Sequence, residues 1–408
     1  MMATFEENLK KYAELIVKIG VNVQNNHTVV LNIAVDQAPL ARLIVKEAYK
    51  QGARDVIVRW SDEAVNRERL ISAKNLDEIK ESTTKIFDEW IEDGASRISV
   101  VSDNPAAYEG VDPERIALAQ ATNGKASRKL GACLQANKFS WLVVAAASPE
   151  WAKEVFPELP EDEATDKLWN EIFKATRTNL ENPVEAWNEH DKLLTSKAKW
   201  LSEQKFDKFH YTAPGTDLVV GLPKNYVFEG PSSYNSRNER FIANMPTEEV
   251  FSAPDKKRVD GVVSSTKPLS YAGTIIDGIK LTLEDGRIVD VYADKGQETL
   301  EKLVATDEGS HYFGEIALVP NSSPISASGI IFFETLFDEN ASNHIAIGQA
   351  YAFSVEGGTE MSQEQLDEAG LNRSDVHVDF MIGSDKMDVD GVKEDGTIVP
   401  IFRNGEWA

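Results

Sequence analysis

The sequence lacks the features on which several classes of protein depend. It has a single cysteine, Cys133, which excludes an intrachain disulfide and a cysteine-rich metal cluster. No apolar run approaches the roughly 18 residues needed to cross a bilayer, and the first residues lack a basic segment followed by an apolar one. We therefore expect a cytoplasmic protein that does not insert into a membrane.

Positively charged residues are also few in comparison with negatively charged ones. The chain has 43 Lys and Arg residues against 67 Asp and Glu residues, a formal net charge of -24. Such a surface repels phosphate backbones and attracts cations. Because no basic run with interleaved aromatic residues is present either, we expect no binding to nucleic acid.

Nucleotide-binding loops are absent from the first half of the chain, although its pattern is typical of an α/β layer. Buried strands are predicted at 28–35, 55–60, 97–102 and 141–147, and helical stretches at 5–19, 39–52 and 151–206. Strands that alternate with helices are typical of a parallel sheet. Since no Gly-x-Gly-x-x-Gly or Walker loop follows a strand, dinucleotide and ATP binding are not expected. We predict an α/β N-terminal domain with an open parallel sheet over residues 1–195.

The second half is rich in short β segments and Asp-Gly turns. Such turns lie at 277–278, 284–286 and 394–396, and Asp-Gly pairs between alternating runs are typical of hairpins. The runs 278–283 and 287–292 should pair across the second of these turns. We predict that residues 196–408 form an α+β, mostly antiparallel C-terminal domain that carries a metal site.

The metal-site hypothesis starts from the stretch 375–383. Asp375, His377 and Asp379 alternate with Val376 and with other apolar residues, so a strand would place the three polar side chains on one face. A histidine and a carboxylate on one strand face can bind the same cation. A half-buried strand whose polar face meets water would show the same pattern, so this stretch alone does not decide.

Three other stretches offer residues that bind metals. Glu248 and Glu249 follow a proline turn, and in an extended segment only one of them can face a given site. Glu315 begins an apolar strand, where a lone carboxylate needs a partner or water. His344 follows cap-like polar residues, and a helix over 345–351 would place Tyr351 about two turns away on the same face.

If one of the two adjacent glutamates is counted and Asp375 is a turn residue at the entrance of its strand, these stretches supply two histidines and three carboxylates, and no sulfur. Nitrogen and oxygen ligands of this kind suit Zn²⁺, Co²⁺ or Mn²⁺. Five ligands are more than one tetrahedral ion needs, and they suit two ions that share a bridging carboxylate. Such a pair would make hydroxide available near neutral pH for hydrolysis.

Five runs of sequence, found in order and mainly after residue 210, resemble the thermophilic metallo-aminopeptidase family (peptidase family M29), and within it the aminopeptidase S branch of Gram-positive cocci. The resemblance covers essentially the whole chain. The runs are Gly215-Thr-Asp-Leu with Gly221-Leu-Pro, Asn244-Met-Pro-Thr-Glu-Glu-Val-Phe, Gly314-Glu-Ile-Ala-Leu-Val, Asn343-His-Ile-Ala-Ile-Gly and His377-Val-Asp-Phe-Met-Ile-Gly.

The resemblance implies a site, a substrate and an assembly. The implied metal ligands are Glu249, Glu315, His344, His377 and Asp379. Tyr351 matches the active-site tyrosine of the family. The family also implies peptide substrates with a free N-terminus, a broad preference among N-terminal residues, and a homodimer whose active sites face an enclosed space.

The expected mechanism follows from these ligands. A metal-activated hydroxide attacks the first peptide carbonyl, and the Tyr351 phenol donates to the developing oxyanion. A carboxylate outside the ligand set must carry the proton to the leaving amine, and Glu248 is the candidate nearest in sequence.

Two other functions compatible with the same ligand types stay open. Another dinuclear metallohydrolase, such as a deacetylase or phosphoesterase, would use similar chemistry. A phosphoesterase would benefit from cationic side chains, but Arg237, Arg240 and the run 256–258 have no evident link to the site. A non-catalytic binding protein braced by zinc is the third possibility, but structural zinc sites are usually cysteine-rich.

Overall fold

The structure, a computed structural model, describes residues 4–102, 104, 106–272 and 274–408. Its contacts divide the chain into two compact units. The first comprises Met1–Glu189 and Ser232–Pro246, and the second comprises His190–Pro231 and Thr247–Ala408. The predicted division into domains 1–195 and 196–408 stays a prediction.

The described residues form the following regular elements. The helices are α1 (Phe5–Leu15), α2 (Ala38–Lys50), α3 (Glu63–Ser72), α4 (Glu81–Asp93), α5 (Pro113–Gln135), α6 (Pro149–Val155), α7 (Glu161–Ala175), α8 (Pro183–Gln204), α9 (Gln297–Val304), α10 (Pro324–Ser328), α11 (Thr335–Asp338) and α12 (Gln363–Glu368). The first strands are β1 (Thr28–Ala34), β2 (Asp55–Ser61), β3 (Ser96–Val101), β4 (Trp141–Ala145), β5 (Lys208–Ala213), β6 (Thr216–Gly221), β7 (Ser232–Tyr234), β8 (Arg240–Ile242), β9 (Asn244–Met245), β10 (Val250–Ser252) and β11 (Val259–Ser264). The remaining strands are β12 (Leu269–Tyr271), β13 (Thr274–Ile276), β14 (Lys280–Glu284), β15 (Arg287–Tyr292), β16 (Phe313–Leu318), β17 (His344–Gly348), β18 (His377–Met381), β19 (Asp388–Val392), β20 (Ile398–Arg403) and β21 (Glu406–Trp407). Among the residues described, none of these helices is both long and apolar enough to span a membrane.

The first unit is built on a parallel sheet in the order β2-β1-β3-β4-β9. Every neighbouring pair in it is parallel. β1 is rich in β-branched residues and largely buried, as expected for a strand with a neighbour on each side. The predicted α/β unit with an open parallel sheet is therefore confirmed.

The second unit is built on antiparallel sheets. One has eight strands, in the order β15-β14-β11-β6-β5-β19-β20-β21, and a second has the order β10-β16-β17-β18. Side chains from both sheets meet in one hydrophobic core, among them Phe209, Leu218, Leu281, Ile316, Ile345 and Phe380. The predicted mostly antiparallel second half is confirmed.

Two of the three predicted Asp-Gly turns close hairpins. β14 and β15 pair across a turn in which Asp285 and Gly286 both have positive φ, as the tight turns of hairpins require. β19 and β20 pair across the turn at 394–396. The turn at 277–278 instead connects β13 to β14, which lie in different sheets. An Asp-Gly pair fixes a reversal of the chain, whereas strand pairing depends on the partners available.

The suggested helix over 345–351 is wrong. These residues begin as β17, and Tyr351 follows the strand in an extended conformation. β17 pairs with β16 on one side and β18 on the other, so its backbone donors and acceptors are satisfied in the sheet. Tertiary pairing, together with the β-branched Ile345 and Ile347, therefore decides the conformation of this short run.

Candidate metal centre

One face of the sheet β10-β16-β17-β18 brings the predicted ligands together. The register opposes Ala346 to Glu315 on one neighbour and to Asp379 on the other. His377 lies opposite Gly348. Because alternate residues of a strand share a face, Glu315, His344, His377 and Asp379 project from the same side.

Small residues leave room between these side chains. Ala346 and Gly348 occupy the site face of β17 between the polar side chains of its neighbours. Gly314, just before Glu315, is a glycine for a different reason. A Cβ there would overlap the carbonyl oxygens of Gly348 and Gln349, so only glycine allows this close approach of the backbones.

The ligand atoms form two groups that share one residue. Glu249, Glu315 and His344 make the first group, and Glu315, His377 and Asp379 make the second; within each group the ligand atoms lie within 4.8 Å of one another. The structure therefore brings together all five residues that the resemblance implied as ligands. Glu249 joins the sheet from the residue just before β10.

Glu315 presents a different oxygen to each histidine. Its Oε1 lies 3.7 Å from Nε2 of His344, and its Oε2 lies 3.7 Å from Nε2 of His377. Nε2 of His344 is also 3.0 Å from Oε2 of Glu249, and Nε2 of His377 is 3.6 Å from Oδ2 of Asp379. Glu315 therefore contacts both histidines, each through a separate carboxylate oxygen.

Backbone carbonyls orient both imidazoles. Nδ1 of His344 donates to the carbonyl of Ser342 over 3.2 Å, and Nδ1 of His377 donates to the carbonyl of Gln349 over 2.7 Å. Because a carbonyl can only accept, the hydrogen of each neutral ring is on Nδ1. Each Nε2 therefore presents a lone pair towards the carboxylates, the orientation of a metal-ligating histidine.

Within the part of the chain that the structure describes, two buried carboxylate oxygens have no hydrogen-bond partner. They are Oε2 of Glu249 and Oδ1 of Asp379. Oε2 of Glu249 is 3.0 Å from Nε2 of His344, which can donate to it only when both ring nitrogens carry a proton. Unsatisfied buried acceptors are costly, and a cation between the carboxylates and the lone pairs would satisfy them. The residues thus fit divalent metal ions.

The pKa values of Glu315 and His344 also favour a bound cation. Burial raises the pKa of Glu315 to about 7, an effect that the two histidines oppose and the charges of Asp379 and Glu249 reinforce. Burial alone would lower the pKa of His344, but its contacts with Glu249 and Glu315 raise it well above its usual range. A cation bound here would therefore take the place of protons.

Tyr351 lies beside the second ligand group. Its ring centroid is 5.0 Å from that of His377 and 5.1 Å from that of Phe353, on which it stacks. Burial raises the pKa of the Tyr351 phenol well above its usual value, and the nearby carboxylates add to this effect. The phenol therefore keeps its proton, and it is available as a hydrogen-bond donor.

Glu248 lies outside both ligand groups. Its backbone N–H donates to Oδ1 of Asn340 over 2.7 Å. Its Oε2 is 3.6 Å from Nε2 of His190, and that ring nitrogen donates to the carbonyl of Thr247 over 2.8 Å. The two adjacent glutamates thus contact different histidines: Glu249 contacts His344, and Glu248 contacts His190.

The sequence reasoning missed Glu339. This half-buried residue begins a 3₁₀ turn, Glu339–Ala341, that precedes β17. Burial raises its pKa well above the usual range, and the charges of Glu249 and Asp379 raise it further. Its side chain lines one cleft with Asp379. The sequence feature that could have indicated Glu339 is its carboxylate five residues before His344.

A family model described as thermophilic metalloprotease (M29) matches residues 5–407. The chain belongs to the M29 family of thermophilic metalloproteases. An aminopeptidase PepS from Streptococcus thermophilus is 55% identical over 410 residues, which cover 100% of this chain and 99% of that protein. An aminopeptidase AmpS from Bacillus subtilis is 53% identical over 409 residues, 100% of both chains. The structure of wild-type AmpT from Thermus thermophilus has a TM-score of 0.93 at 40% identity and covers 99% of this chain and 100% of its own.

These comparisons confirm the family resemblance over the whole chain. They also confirm the predicted class of enzyme, a metallo-aminopeptidase, because the M29 relatives carry that name. The AmpT structure shares both the parallel sheet of the first unit and the antiparallel sheets of the second. Metal dependence follows from the family.

Proposed function

We propose that this M29 enzyme releases N-terminal amino acids from peptides at a site for two divalent metal ions. The observation that carries the proposal is Glu315, whose two oxygens face His344 and His377 at 3.7 Å each. The proposed ligands are Glu249 and His344 on one side, His377 and Asp379 on the other, and Glu315 between them. This set of nitrogen and oxygen ligands suits Zn²⁺, Co²⁺ or Mn²⁺.

Held by these five residues, such ions would activate water near neutral pH and polarise a peptide carbonyl. Groups of the protein itself orient the ligands and donate hydrogen bonds. The carbonyls of Ser342 and Gln349 hold the histidines with Nε2 towards the site. Tyr351, beside His377, donates its O–H to the oxygen on which negative charge develops.

Glu248 stays a predicted proton carrier. Its side chain lies on the His190 side of the Thr247–Glu249 segment, outside both ligand groups. A Glu248→Gln enzyme whose kcat equals that of the parent would remove Glu248 from the mechanism.

The decisive experiment measures metal content together with the release of N-terminal residues. Unblocked and N-acetylated peptides are compared with and without a chelator. We expect about two metal ions per chain, hydrolysis of the unblocked peptides only, and loss of activity on chelation. Equal hydrolysis of acetylated peptides would contradict the aminopeptidase proposal, and one ion per chain would contradict the dinuclear site.

A matched pair of histidine variants tests the ligand assignment. His377→Ala should lower both metal content and activity, because Nε2 of His377 faces two proposed carboxylate ligands. His210→Ala is the control, since the His210 side chain is 41% exposed and pairs with Asp217 in the same unit. Unchanged metal content and turnover in His377→Ala would show that the assignment is wrong.

Other hydrolase reactions have less support. A phosphoesterase would need free cationic groups near the metals, but Lys256 and Arg258 of this unit are ion-paired with Asp367 and Asp207. We further propose a homodimer, which the family resemblance implies, and a cytoplasmic location, which the single cysteine and the lack of a long apolar run favour.

A further inference from the structure

We propose that Glu339 binds the α-ammonium group of the substrate's N-terminal residue. This inference rests on the proposed aminopeptidase function and names the residue that would restrict the enzyme to free N-termini.

The position of Glu339 is fixed by its neighbour. Oδ1 of Asn340 accepts the backbone N–H of Glu248 over 2.7 Å, and its Nδ2 donates to the carbonyl of Leu336 over 3.0 Å. The same Nδ2 lies 3.4 Å from Oε1 of Glu339. One amide thus ties the turn that carries Glu339 to the segment that carries Glu249.

Glu339 lies near the proposed metal ligands. It lines one small cleft together with Asp379 of β18, and the apolar wall of this cleft includes Pro268, Leu269 and Met381. It belongs to neither ligand group, although both Glu249 and Asp379 are near enough to raise its pKa. Glu339 is therefore a carboxylate beside the metal centre that the ligand set does not use.

No Lys, Arg or His in the described part of the chain forms an ion pair with Glu339. Among the described residues, the one hydrogen-bond contact of its carboxylate is with Nδ2 of Asn340, at 3.4 Å. A half-buried carboxylate among other carboxylates is unfavourable without a cation. A positive group that arrives with the substrate would therefore be bound strongly here.

Peptide geometry places such a group at this point. The α-nitrogen is separated from the first carbonyl carbon by two bonds, about 2.5 Å in space. When that carbonyl lies at the metal centre, the ammonium must lie directly beside it. Glu339 lines one cleft with Asp379 of the second ligand group, so it can meet the charge of a free N-terminus. An acetylated N-terminus or an internal peptide bond brings no such charge.

The test compares two inhibitors, leucine hydroxamate and its analogue without the amino group. Their dissociation constants are measured by calorimetry for the metal-loaded parent and for Glu339→Gln. We expect the parent to bind the amino compound more tightly, and we expect Glu339→Gln to reduce this advantage by about 30-fold or more, because one partner of a desolvated charge pair is removed. Binding of the analogue and the metal content should not change.

Two further variants serve as controls. Glu339→Asp keeps the charge and should retain part of the advantage. Glu284→Gln removes an exposed carboxylate of the same unit that does not line the cleft, and it should leave the advantage unchanged.

The possible failures are distinguishable. An unchanged advantage in Glu339→Gln at full metal content would overturn the assignment of Glu339 alone. Loss of metal in that variant would also overturn it, because Glu339 would then be a ligand. A parent that shows no preference for the amino compound and no release of N-terminal residues would refute the proposed function itself, and this inference with it.

Discussion

The substitution Tyr351→Phe removes one oxygen atom from the site and little else. The ring of phenylalanine keeps the stacking on Phe353 at 5.1 Å and the contact with His377 at 5.0 Å. Within the described residues the hydroxyl has no hydrogen bond, so its removal leaves no partner unsatisfied. Metal content and thermal stability should therefore equal those of the parent.

The substitution should raise the free energy of the transition state. In the proposed mechanism the phenol donates to an oxygen that becomes negatively charged only as the carbonyl is attacked. Loss of one such donor lowers kcat by about 10²–10³, equivalent to roughly 2.7–4 kcal/mol. KM should change little, because the donor acts more strongly on the transition state than on the bound substrate.

The assay is steady-state hydrolysis of an amino-acid p-nitroanilide, with metal content measured on the same samples. Tyr292→Phe is the control, since Tyr292 is 52% exposed on the edge strand β15. A fall in kcat of less than about threefold at full metal content would refute the reasoning for Tyr351, because one oxyanion donor is worth far more than that.

Three further predictions concern stability. Burial raises the pKa of Glu229 to about 7, so the folded state binds more protons between about pH 4.5 and 7, and stability falls as pH rises through that window. Glu229→Gln should therefore raise the free energy of unfolding at pH 8 by roughly 1–3 kcal/mol, after allowance for partial exposure, and much less at pH 5, as measured by urea unfolding. Gly314→Ala should lower that free energy by about 1–3 kcal/mol and reduce metal content, because the added Cβ meets two carbonyl oxygens beside Glu315. Gly131→Ala, inside α5 with no atom within 4 Å of the added Cβ, should instead raise the thermal midpoint through a gain of about 0.5–1 kcal/mol.

Each of these predictions has a clear contrary result. For Glu229, the control is the exposed Glu284→Gln, and an equal shift at pH 5 and pH 8 would contradict the argument from burial. For the glycines, a stable and fully loaded Gly314→Ala protein would show that the strands can separate at no cost. A less stable Gly131→Ala protein would show that its surroundings are more crowded than the structure indicates.

Local patterns predicted much of the fold. The strands of the parallel sheet are short β-branched runs bounded by turns, and their order along the chain leaves few topologies. The alternation at 377–380 likewise fixes which side chains of β18 share a face. Both patterns depend on neighbours in sequence, and that is why the sequence alone reveals them.

The features that the sequence did not predict correctly depend on contacts between distant segments. The run 345–351 is compatible with a helix until β16 and β18 pair with it on both sides. Glu339 gained its significance only when the fold placed it beside Glu249 and Asp379. The separate surroundings of Glu248 and Glu249 likewise depend on His190 and His344, which lie far apart along the chain.

The hydrogen bonds that orient His344 and His377 are accepted by main-chain carbonyls, those of Ser342 and Gln349. A carbonyl belongs to every amino acid, so no side-chain substitution at Ser342 or Gln349 deletes the acceptor itself. The orientation of both imidazoles is thus protected against most point mutations, whereas a carboxylate acceptor could be lost in one step. Sequence drift around this centre can therefore be extensive as long as the course of the backbone is kept.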